Sequence, residues 1–341
     1  MSTTSTQNTP DLELLRLLFG KNVTMALAVA AKLRIADHLA DGPKSAADLA
    51  GRTHAHGPSL YRVLRLLASL DVLAEEDDGR FALAPMGEHL RTGVPGSLRG
   101  VAEHFGSEWS WQAWSRMFEG VRTGRPSFEI AFGETVFEYF GERPQATAVF
   151  QEAMAGFTSG LGPGVVEAYD FSPFRTIVDV GGGHGSLLFA ILAAYPEAQG
   201  VVFDSPHVVG GAEKAIHEAG LSARCRAVGG DFFRATPAGG DLYLLKHVVH
   251  DWSDDESTRI LSNCRAAVNP GGRLLLIETV VSPEIPMSYD KFLDMEMLVM
   301  ITGRERTEEE FRRLLAGAGW RSTRVIPAGP VTRILEAEPA E

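Results

Sequence analysis

The chain has 341 residues, of which 45% are hydrophobic and 22% charged, an ordinary composition for a soluble globular protein long enough for two domains. Two cysteines, Cys225 and Cys264, are too few for a disulfide framework and favour a reducing cytoplasm. The net charge of −12 lies entirely after residue 100, because residues 1–100 carry equal numbers of basic and acidic side chains. An acidic domain repels nucleic acid but tolerates a cationic ligand.

The amino terminus shows no targeting signal. Residues 1–10 form a polar tail without the layout of a signal peptide. No apolar run approaches the roughly 20 residues that a membrane helix needs. We therefore expect a cytoplasmic protein that does not bind a membrane.

Residues 1–100 are predicted to form a helical domain. Helices are expected at residues 12–19 and 23–39, and the second is apolar on almost every side. Such a helix must be buried, and a small domain alone covers it poorly, so we expect a homodimer built through this domain.

Two further helices, at residues 45–50 and 58–70, precede a hairpin at residues 72–83 with Asp78-Gly79 at its turn. This order is typical of a winged helix, so a DNA-binding regulator is an alternative function. The second helix has only two basic side chains for contact with a DNA groove, Arg62 and Arg65, and the turn of the wing is acidic. A winged-helix-like dimerisation domain is therefore preferred.

Residues 101–170 are rich in aromatic side chains and are predicted to form a helical linker and substrate-pocket segment, with a long helix at 144–169. Aromatic residues at helical spacing more often belong to a core than to a pocket. Some of them could still wall a pocket for a flat molecule.

Residues 171–341 are organised around the stretch T-I-V-D-V-G-G-G-H-G-S at positions 176–186. Its apolar start predicts a buried strand, and its glycines predict a sharp turn before a helix that begins near Leu187. Glycine permits positive φ and lets a ligand approach the main chain. These elements are the first half of a nucleotide-binding βαβ unit.

A second strand at residues 200–204 ends in Asp204, at about the 20-residue offset of an acid that binds a ribose diol. When a G-x-G-x-x-G motif is aligned to start at Gly181 or at Gly183, its sixth position is not glycine. The sequence also contains no phosphate-binding P-loop motif. The ligand is therefore predicted to be a nucleoside without a pyrophosphate, and S-adenosylmethionine fits best.

Strands and helices alternate through the rest of the chain, which predicts a parallel, Rossmann-like doubly wound α/β sheet. The further strands are expected at residues 225–228, 241–248, 273–281, 323–327 and 331–336, with helices at 208–219, 254–268 and 307–318. Strand ends then bring together Gly181, Asp204, Asp231, His250 and Glu278.

His250 is the candidate general base, because a neutral imidazole of pKa near 6.5 can accept a proton from a hydroxyl. Glu278 and Glu305 are candidates to orient it. His247 and His250 are three residues apart and should face opposite sides of a strand, so we expect no metal site.

Six motifs occur in order: D-V-G-G-G-H-G, V-F-D-S-P-H-V, G-D-F-F, L-K-H-V-V-H-D-W-S-D-D-E, L-L-L-I-E and R-E-R-T-E-E-E-F. Together the motifs resemble the S-adenosylmethionine-dependent O-methyltransferases of the plant caffeate/flavonoid type and their bacterial relatives, which tailor polyketides, phenazines and other aromatic metabolites. The resemblance implies a class I methyltransferase domain at 171–341.

The resemblance also implies roles for single residues. His250, Glu278 and Glu305 would be catalytic. The cofactor would be held by Gly181, Asp204, Asp231, Phe232 and Lys246, and Asp179 and Gly183 are further candidates for binding it. Phe150, Met154 and Met297 match family positions that line the acceptor pocket, and further candidates for contact with the acceptor are Trp109, Phe128, Asp251 and Met300.

The expected reaction is transfer of the methyl group of S-adenosylmethionine to a hydroxyl, phenolic by preference, of a small aromatic natural product. Three other uses of this fold and cofactor stay open: methylation of nitrogen, methylation of carbon, and cofactor-assisted decarboxylation or hydroxylation of a polyketide.

Overall fold

The computed structural model describes residues 9–158, 161–286 and 288–341. Its helices are α1 (Pro10–Leu18), α2 (Gly20–Lys32), α3 (Ile35–Leu39), α4 (Ala46–Thr53), α5 (Gly57–Ala68), α6 (Arg99–Phe105), α7 (Glu108–Ser115), α8 (Met117–Thr123), α9 (Ser127–Phe132), α10 (Val136–Glu142), α11 (Pro144–Thr158), α12 (Leu161–Ala168), α13 (Ser186–Ala194), α14 (Pro206–Glu218), α15 (Asp254–Ala267), α16 (Tyr289–Met300) and α17 (Glu308–Gly317). Its strands are β1 (Lys44–Ser45), β2 (Leu73–Glu75), β3 (Arg80–Leu83), β4 (Thr176–Val180), β5 (Gln199–Asp204), β6 (Cys225–Gly229), β7 (Gly240–Lys246), β8 (Val268–Val281), β9 (Arg306–Thr307), β10 (Trp320–Pro327) and β11 (Thr332–Pro339).

Internal contacts divide the chain into two compact units. Unit 1 runs through Trp114 and includes a second segment that begins at Phe137, while unit 2 comprises Ser115–Val136 and the described part of Gly160–Glu341. Residues 101–170, predicted as a separate segment, are thus shared between the two units. The long helix predicted at residues 144–169 corresponds to α11 and α12, and residues 159 and 160 lie outside the described residues.

Unit 1 begins with helices whose bounds differ from those predicted. The helix expected at residues 23–39 is interrupted, because α2 ends at Lys32 and Arg34 adopts a left-handed conformation with φ of 52° before α3 begins. Composition alone did not indicate this break, since arginine is a good helix former. The break turns α3 so that Ile35, Ala36 and Leu39 enter the core of unit 1.

Helices α4 and α5 and the β2–β3 hairpin follow in the predicted order, and β1, β3 and β2 form a small antiparallel sheet. Ser45 caps α4 by accepting a hydrogen bond from the backbone N–H of Asp48. The assignment of this region as a winged helix stays a prediction.

The segment Pro10–Lys32 is long and apolar enough to cross a membrane by length and composition, with a mean hydropathy of 1.5 and only 22% of its most apolar window buried. This criterion rests on length and composition only, and a single such segment is weak evidence for a membrane span. The turn at Phe19 joins two helices that the sequence analysis treated as separate. A helix whose apolar side chains stay exposed in the single chain is expected to pack against a partner surface.

Unit 2 is built on one large sheet with strand order β10-β11-β8-β7-β4-β5-β6, and β9 pairs with β8 outside this path. Strands β4 to β8 pair with one another in parallel. Ile177 packs into one hydrophobic cluster and Val178 into another, so both faces of β4 are covered, as in a doubly wound sheet. This confirms the predicted fold class.

The carboxy-terminal strands depart from the prediction of a parallel sheet. β11 runs antiparallel to β8, and β10 runs antiparallel to β11. Residues 328–331 between β10 and β11 are too few for a crossover helix, so a hairpin is the only economical connection. Apolar runs identify buried strands but do not encode their direction.

Helix α1 supplies a test of the expected dimer. Leu17 is 67% exposed in the single chain, and burying a leucine side chain contributes about 1.5–3 kcal/mol. If a second copy covers this face, Leu17→Gln should weaken the dimer by at least about tenfold, since 1.4 kcal/mol is one factor of ten. Sedimentation velocity across a dilution series measures this change.

The matched control is Arg16→Gln, which introduces the same glutamine side chain at the preceding residue of α1. It should leave the dimer unchanged. Equal dissociation of both variants, or a fully dimeric Leu17→Gln protein, would contradict burial of α1 by a second copy.

Candidate active site

The glycine turn after β4 leaves the main chain open to a ligand. Gly181 and Gly183 have φ of 68° and 57°, a region that side-chain-bearing residues rarely adopt. A Cβ on Gly181 would lie 2.7 Å from a methyl carbon of Val248, so this position requires glycine for space as well. A Cβ on Gly183 would meet nothing within 4 Å, so the backbone borders open space there.

Asp204 at the end of β5 is bound to this turn. Its Oδ2 accepts a hydrogen bond of 2.8 Å from the backbone N–H of Gly183, and its Oδ1 accepts one of 2.7 Å from the N–H of Ser205. The two features that the sequence analysis placed about 20 residues apart are thus in direct contact. The carboxylate is only partly buried and keeps further lone pairs for a ligand.

A buried acid and a partly buried base lie near the ends of the adjacent strands β4 and β7. Burial raises the pKa of Asp179 to about 7, against the opposing effect of the Lys246 charge. Burial also lowers the pKa of Lys246, while Asp179 and Glu278 act to raise it. A Cβ on Gly182 would lie 2.8 Å from the Asp179 carboxylate, so this acid packs directly under the glycine turn.

Asp231 and Phe232 follow β6 at the same edge of the sheet. The Oδ1 of Asp231 accepts a hydrogen bond from the N–H of Phe233, and the residue is exposed. The rings of Phe232 and Phe233 lie edge-to-face at 4.9 Å, and both contact Trp252. The Oδ2 of Asp231 lies 3.4 Å from Nε of Arg234. The neighbouring rings offer an aromatic surface against which a flat molecule could pack.

His250 lies in a 3₁₀ turn, Val249–Asp251, and not in a strand as predicted. Strand β7 ends at Lys246, and His247 adopts a left-handed conformation with φ of 52°. The rings of His247 and His250 stack with centroids 5.2 Å apart, so the expectation that they face opposite sides is wrong. Strand alternation does not extend past the residue where the strand ends.

Two buried glutamates flank His250, as predicted. The Nδ1–H of His250 donates a hydrogen bond of 2.9 Å to Oε1 of Glu305. Glu278 is fully buried, and its Oε1 accepts hydrogen bonds from the N–H groups of Val248 and Val249. Its Oε2 lies 3.8 Å from the same ring nitrogen. On the other side of the ring, Nε2 lies 3.3 Å from Oδ1 of Asp251.

These neighbours change the acid–base properties of the site. Burial acts to lower the pKa of His250, but the charges of Asp251, Glu278 and Glu305 outweigh it and raise the pKa to about 10. Burial raises the pKa of Glu278 to about 7 and that of Asp251 to about 6. His250 is therefore a stronger base than the expected one of pKa near 6.5, because three carboxylates surround its ring.

The same side chains form a donor set of the kind that binds metal ions. One ligand atom each from His250, Glu278 and Glu305 lie within 4.8 Å of one another. The Oε2 atoms of both glutamates are buried without a hydrogen-bond partner among the described residues. A shared proton or a cation would satisfy them, so the expected absence of a metal stays a prediction.

The acceptor candidates of unit 2 are Phe128, Asp251, Met297 and Met300. Phe128 is fully buried, and its ring lies 4.6 Å from that of Phe132 on α9. Helix α9 packs against α16, which carries the two methionines. Met300 is buried and Met297 is partly exposed. Their contact with an acceptor stays a prediction.

The acceptor candidates of unit 1 are Trp109, Phe150 and Met154. Trp109 lies edge-to-face with Phe140 at 5.0 Å, and Phe140 stacks on Phe150 at 4.6 Å. Met154 is partly buried one turn further along α11. Their contact with an acceptor also stays a prediction.

Sequence reasoning missed two residues near these groups. His104 contacts Trp109 and Phe150 in unit 1, and burial lowers its pKa to about 4, so its ring is neutral. Arg306 is 1% exposed and binds the turn that carries His250. The motif R-E-R-T-E-E-E-F contained the only signal for Arg306, since it directly follows Glu305.

Comparison with known proteins gives consistent matches along the chain. The O-methyltransferase domain model matches residues 114–321, and the O-methyltransferase dimerisation domain model matches residues 15–93. A phenazine O-methyltransferase of Lysobacter antibioticus is 45% identical over 326 residues, which cover 96% of this chain and 95% of that protein. An 8-amino-8-demethylriboflavin N,N-dimethyltransferase of Streptomyces davaonensis is 37% identical over 319 residues, which cover 92% and 91%.

One of the similar solved structures contains bound ligands. It is an O-methyltransferase from neocarzinostatin biosynthesis in complex with S-adenosylmethionine and 2-hydroxy-5-methyl naphthoic acid. Its TM-score is 0.80 at 32% identity, and the alignment covers 93% of this chain and 96% of that chain.

The His250–Glu305 contact makes a measurable prediction. Glu305→Gln removes a negative charge 2.9 Å from the imidazole, so the pKa of His250 should fall by about 1 to 3. As the pKa falls, the neutral ring appears at lower pH. Titration of the histidine ring nitrogens by NMR measures this change.

Glu308→Gln is the matched control, because Glu308 is an exposed acid that pairs with Arg312 on α17. It should leave the His250 titration unchanged. An unchanged pKa of His250 in Glu305→Gln would show that this carboxylate does not stabilise the imidazolium.

Proposed function

The chain belongs to the S-adenosylmethionine-dependent O-methyltransferase family, and from that premise we propose that it methylates a phenolic hydroxyl of a small aromatic molecule with His250 as general base. The domain model that matches residues 114–321 carries the family assignment. The contact of the His250 ring with two buried glutamates carries the assignment of the base.

The hydrogen bonds of His250 favour this role. Because Nδ1–H donates to Glu305, the neutral ring carries its lone pair on Nε2. A hydroxyl at Nε2 could then donate its proton to the ring. Glu305 would stabilise the imidazolium that forms, and Glu278 accepts hydrogen bonds from the N–H groups of Val248 and Val249, just before His250. The proton must leave to solvent before the ring can accept another in the next turnover.

The strength of the base suits a phenol. A phenol of pKa about 10 would lose its proton to an ordinary histidine of pKa about 6.5 at a cost of about 5 kcal/mol. With the pKa of His250 raised to about 10, proton transfer from the phenol to the neutral ring is nearly balanced. Most of the ring is then protonated at pH 7 and must lose its proton first, so kcat should rise with pH across the neutral range.

The glycine turn and its neighbours fit the cofactor of this family. When bound, S-adenosylmethionine supplies an electrophilic sulfonium methyl group. The open space before Gly183 would admit a ligand to the main chain, Asp204 would bind the ribose hydroxyls, and Asp231 with Phe232 would bind the adenine. Asp179, Gly181 and Lys246 complete the proposed set of binding residues at this edge of the sheet.

The acceptor is proposed to be flat and aromatic. The relatives named above act on a phenazine and on a flavin, and the neocarzinostatin enzyme binds a naphthoic acid. Aromatic and methionine side chains suit such molecules because they pack closely against planar rings. Acceptor contacts are proposed for Trp109, Phe128, Phe150, Met154, Asp251, Met297 and Met300.

Methylation of nitrogen is a second candidate, because the Streptomyces davaonensis relative is an N,N-dimethyltransferase. An amine has a free lone pair and needs no base before it attacks, whereas a neutral phenol gains reactivity when a base removes its proton. The strong base at His250 therefore favours oxygen. Methylation of carbon, decarboxylation and hydroxylation have no specific observation in their favour.

The working form is proposed to be a cytoplasmic homodimer. The match to a dimerisation domain and the exposed leucines of α1 support the dimer. A cytoplasmic site agrees with two free, buried cysteines. No nucleic-acid or membrane partner is proposed.

The experiment that tests the base is His250→Ala, with S-adenosylmethionine binding measured by calorimetry and product formation by mass spectrometry. Binding should stay within about twofold of wild type. Methyl transfer to a phenolic acceptor found by screening should fall by about 100- to 10,000-fold, the usual contribution of a general base.

Asp204→Ala serves as the opposite control, because it should lose cofactor binding as well as transfer. A product heavier by one methylene group identifies methylation at any atom. Wild-type turnover by His250→Ala would refute the base assignment while leaving the family assignment intact.

A further inference from the structure

Arg306 is a buried arginine, and a guanidinium removed from water in this way needs hydrogen-bonding partners. It is 1% exposed and ranks among the largest fully buried side chains of the described residues. A buried charge without partners is strongly unfavourable, so the contacts of this group show what it holds in place.

The guanidinium of Arg306 donates to two backbone carbonyls on either side of His250. Its Nη1 donates to the carbonyl oxygen of Val249 at 2.9 Å, and its Nη2 donates to that of Trp252 at 2.9 Å. Its Nε and Nη2 also donate to Oδ1 of Asp254, at 2.9 Å and 2.7 Å. One planar group thus binds a carbonyl at each end of the turn Val249–Asp251: that of Val249, which begins the turn, and that of Trp252, which follows it.

The opposite side of the same turn is held by Glu278. Its Oε1 accepts hydrogen bonds from the N–H groups of Val248 and Val249. The peptide groups around His250 are therefore fixed by a carboxylate on their N–H side and by a guanidinium on their carbonyl side. A short turn gains a single orientation when both sides are satisfied in this way.

The residue before Arg306 binds the ring itself. Glu305 accepts the hydrogen bond from Nδ1 of His250, and β9 pairs with β8 through Arg306 and Val280. The backbone of Glu305 is fixed in turn, because its N–H donates to Asp294 on α16. Two consecutive residues therefore hold the imidazole and the backbone that carries it.

We propose that Arg306 is a positioning residue for methyl transfer, which orients Nε2 of His250 by holding the carbonyls of Val249 and Trp252. This inference rests on the proposed role of His250 as the base. Arg306 touches neither cofactor nor acceptor in this scheme and acts through the turn. Misplacement of a reacting group by about 1 Å is enough to cost on the order of 100-fold in rate.

Arg304 separates this role from a general contribution of charge. It is an arginine on the same segment, and it pairs with the same aspartate, Asp254, and with Glu310. Its side chain is 44% exposed, and no hydrogen bond from it to the turn is described. Arg304→Met is therefore a matched control for Arg306→Met.

The experiment compares Arg306→Met, Arg306→Lys and Arg304→Met with wild type. Arg306→Met should lower kcat by on the order of 100-fold, with cofactor binding by calorimetry within about twofold of wild type. Arg306→Lys keeps the charge but lacks the planar fork, so it should lie between Arg306→Met and wild type. Arg304→Met should keep wild-type kcat.

The pH profile distinguishes positioning from mere loss of stability. If the turn loosens, His250 moves relative to Glu305 and its pKa falls, so the pH of half-maximal kcat should shift downward in the Arg306 variants. A lower thermal midpoint with an unshifted profile and unchanged kcat would overturn the inference. If Arg306→Met does not fold, Arg306→Lys carries the same test.

His250→Ala is measured in parallel to separate the two claims. Loss of transfer in His250→Ala together with wild-type kcat in the Arg306 variants would refute the positioning role alone. Wild-type transfer in His250→Ala would refute the base assignment on which the role of Arg306 rests.

Discussion

The proposed chemistry depends on one buried contact, the hydrogen bond from Nδ1 of His250 to Glu305. In water such a pair is worth little, because solvent screens the charges and competes for the hydrogen bond. Here the two glutamates next to the ring are 4% exposed or less, and the ring has a raised pKa. Burial alone would make His250 a weaker base, so the acidic neighbours decide its character.

The fold explains why these groups meet. Parallel strands end at one edge, so β4, β5 and β7 deliver the glycine turn, Asp204 and the His250 turn to the same side of the sheet. Glu278 enters from β8, the next strand along, and Glu305 directly precedes β9. The net charge of −12, all of it after residue 100, falls in the part of the chain that must receive a cationic cofactor.

The sequence was sufficient for the buried strands of the sheet and for the glycine turn, because both have local signatures. It was insufficient where structure depends on distant contacts. The left-handed backbone of His247 moved His250 out of the predicted strand and stacked the two rings. The sequence alone does not distinguish Arg306 from a surface charge, because only the folded chain brings it to the carbonyls of Val249 and Trp252. The pKa of His250 likewise depends on Glu278 and Glu305, which lie 28 and 55 positions away in sequence.

The most direct measurement varies the acidity of the acceptor. Wild type and His250→Ala would be assayed with a series of phenols from ordinary ones of pKa about 10 to nitro-substituted ones that are already ionised at neutral pH. If His250 is the base, the ratio of wild-type to variant rates is large for ordinary phenols and approaches one for ionised phenols. A ratio that stays constant across the series would contradict a role for His250 in proton removal.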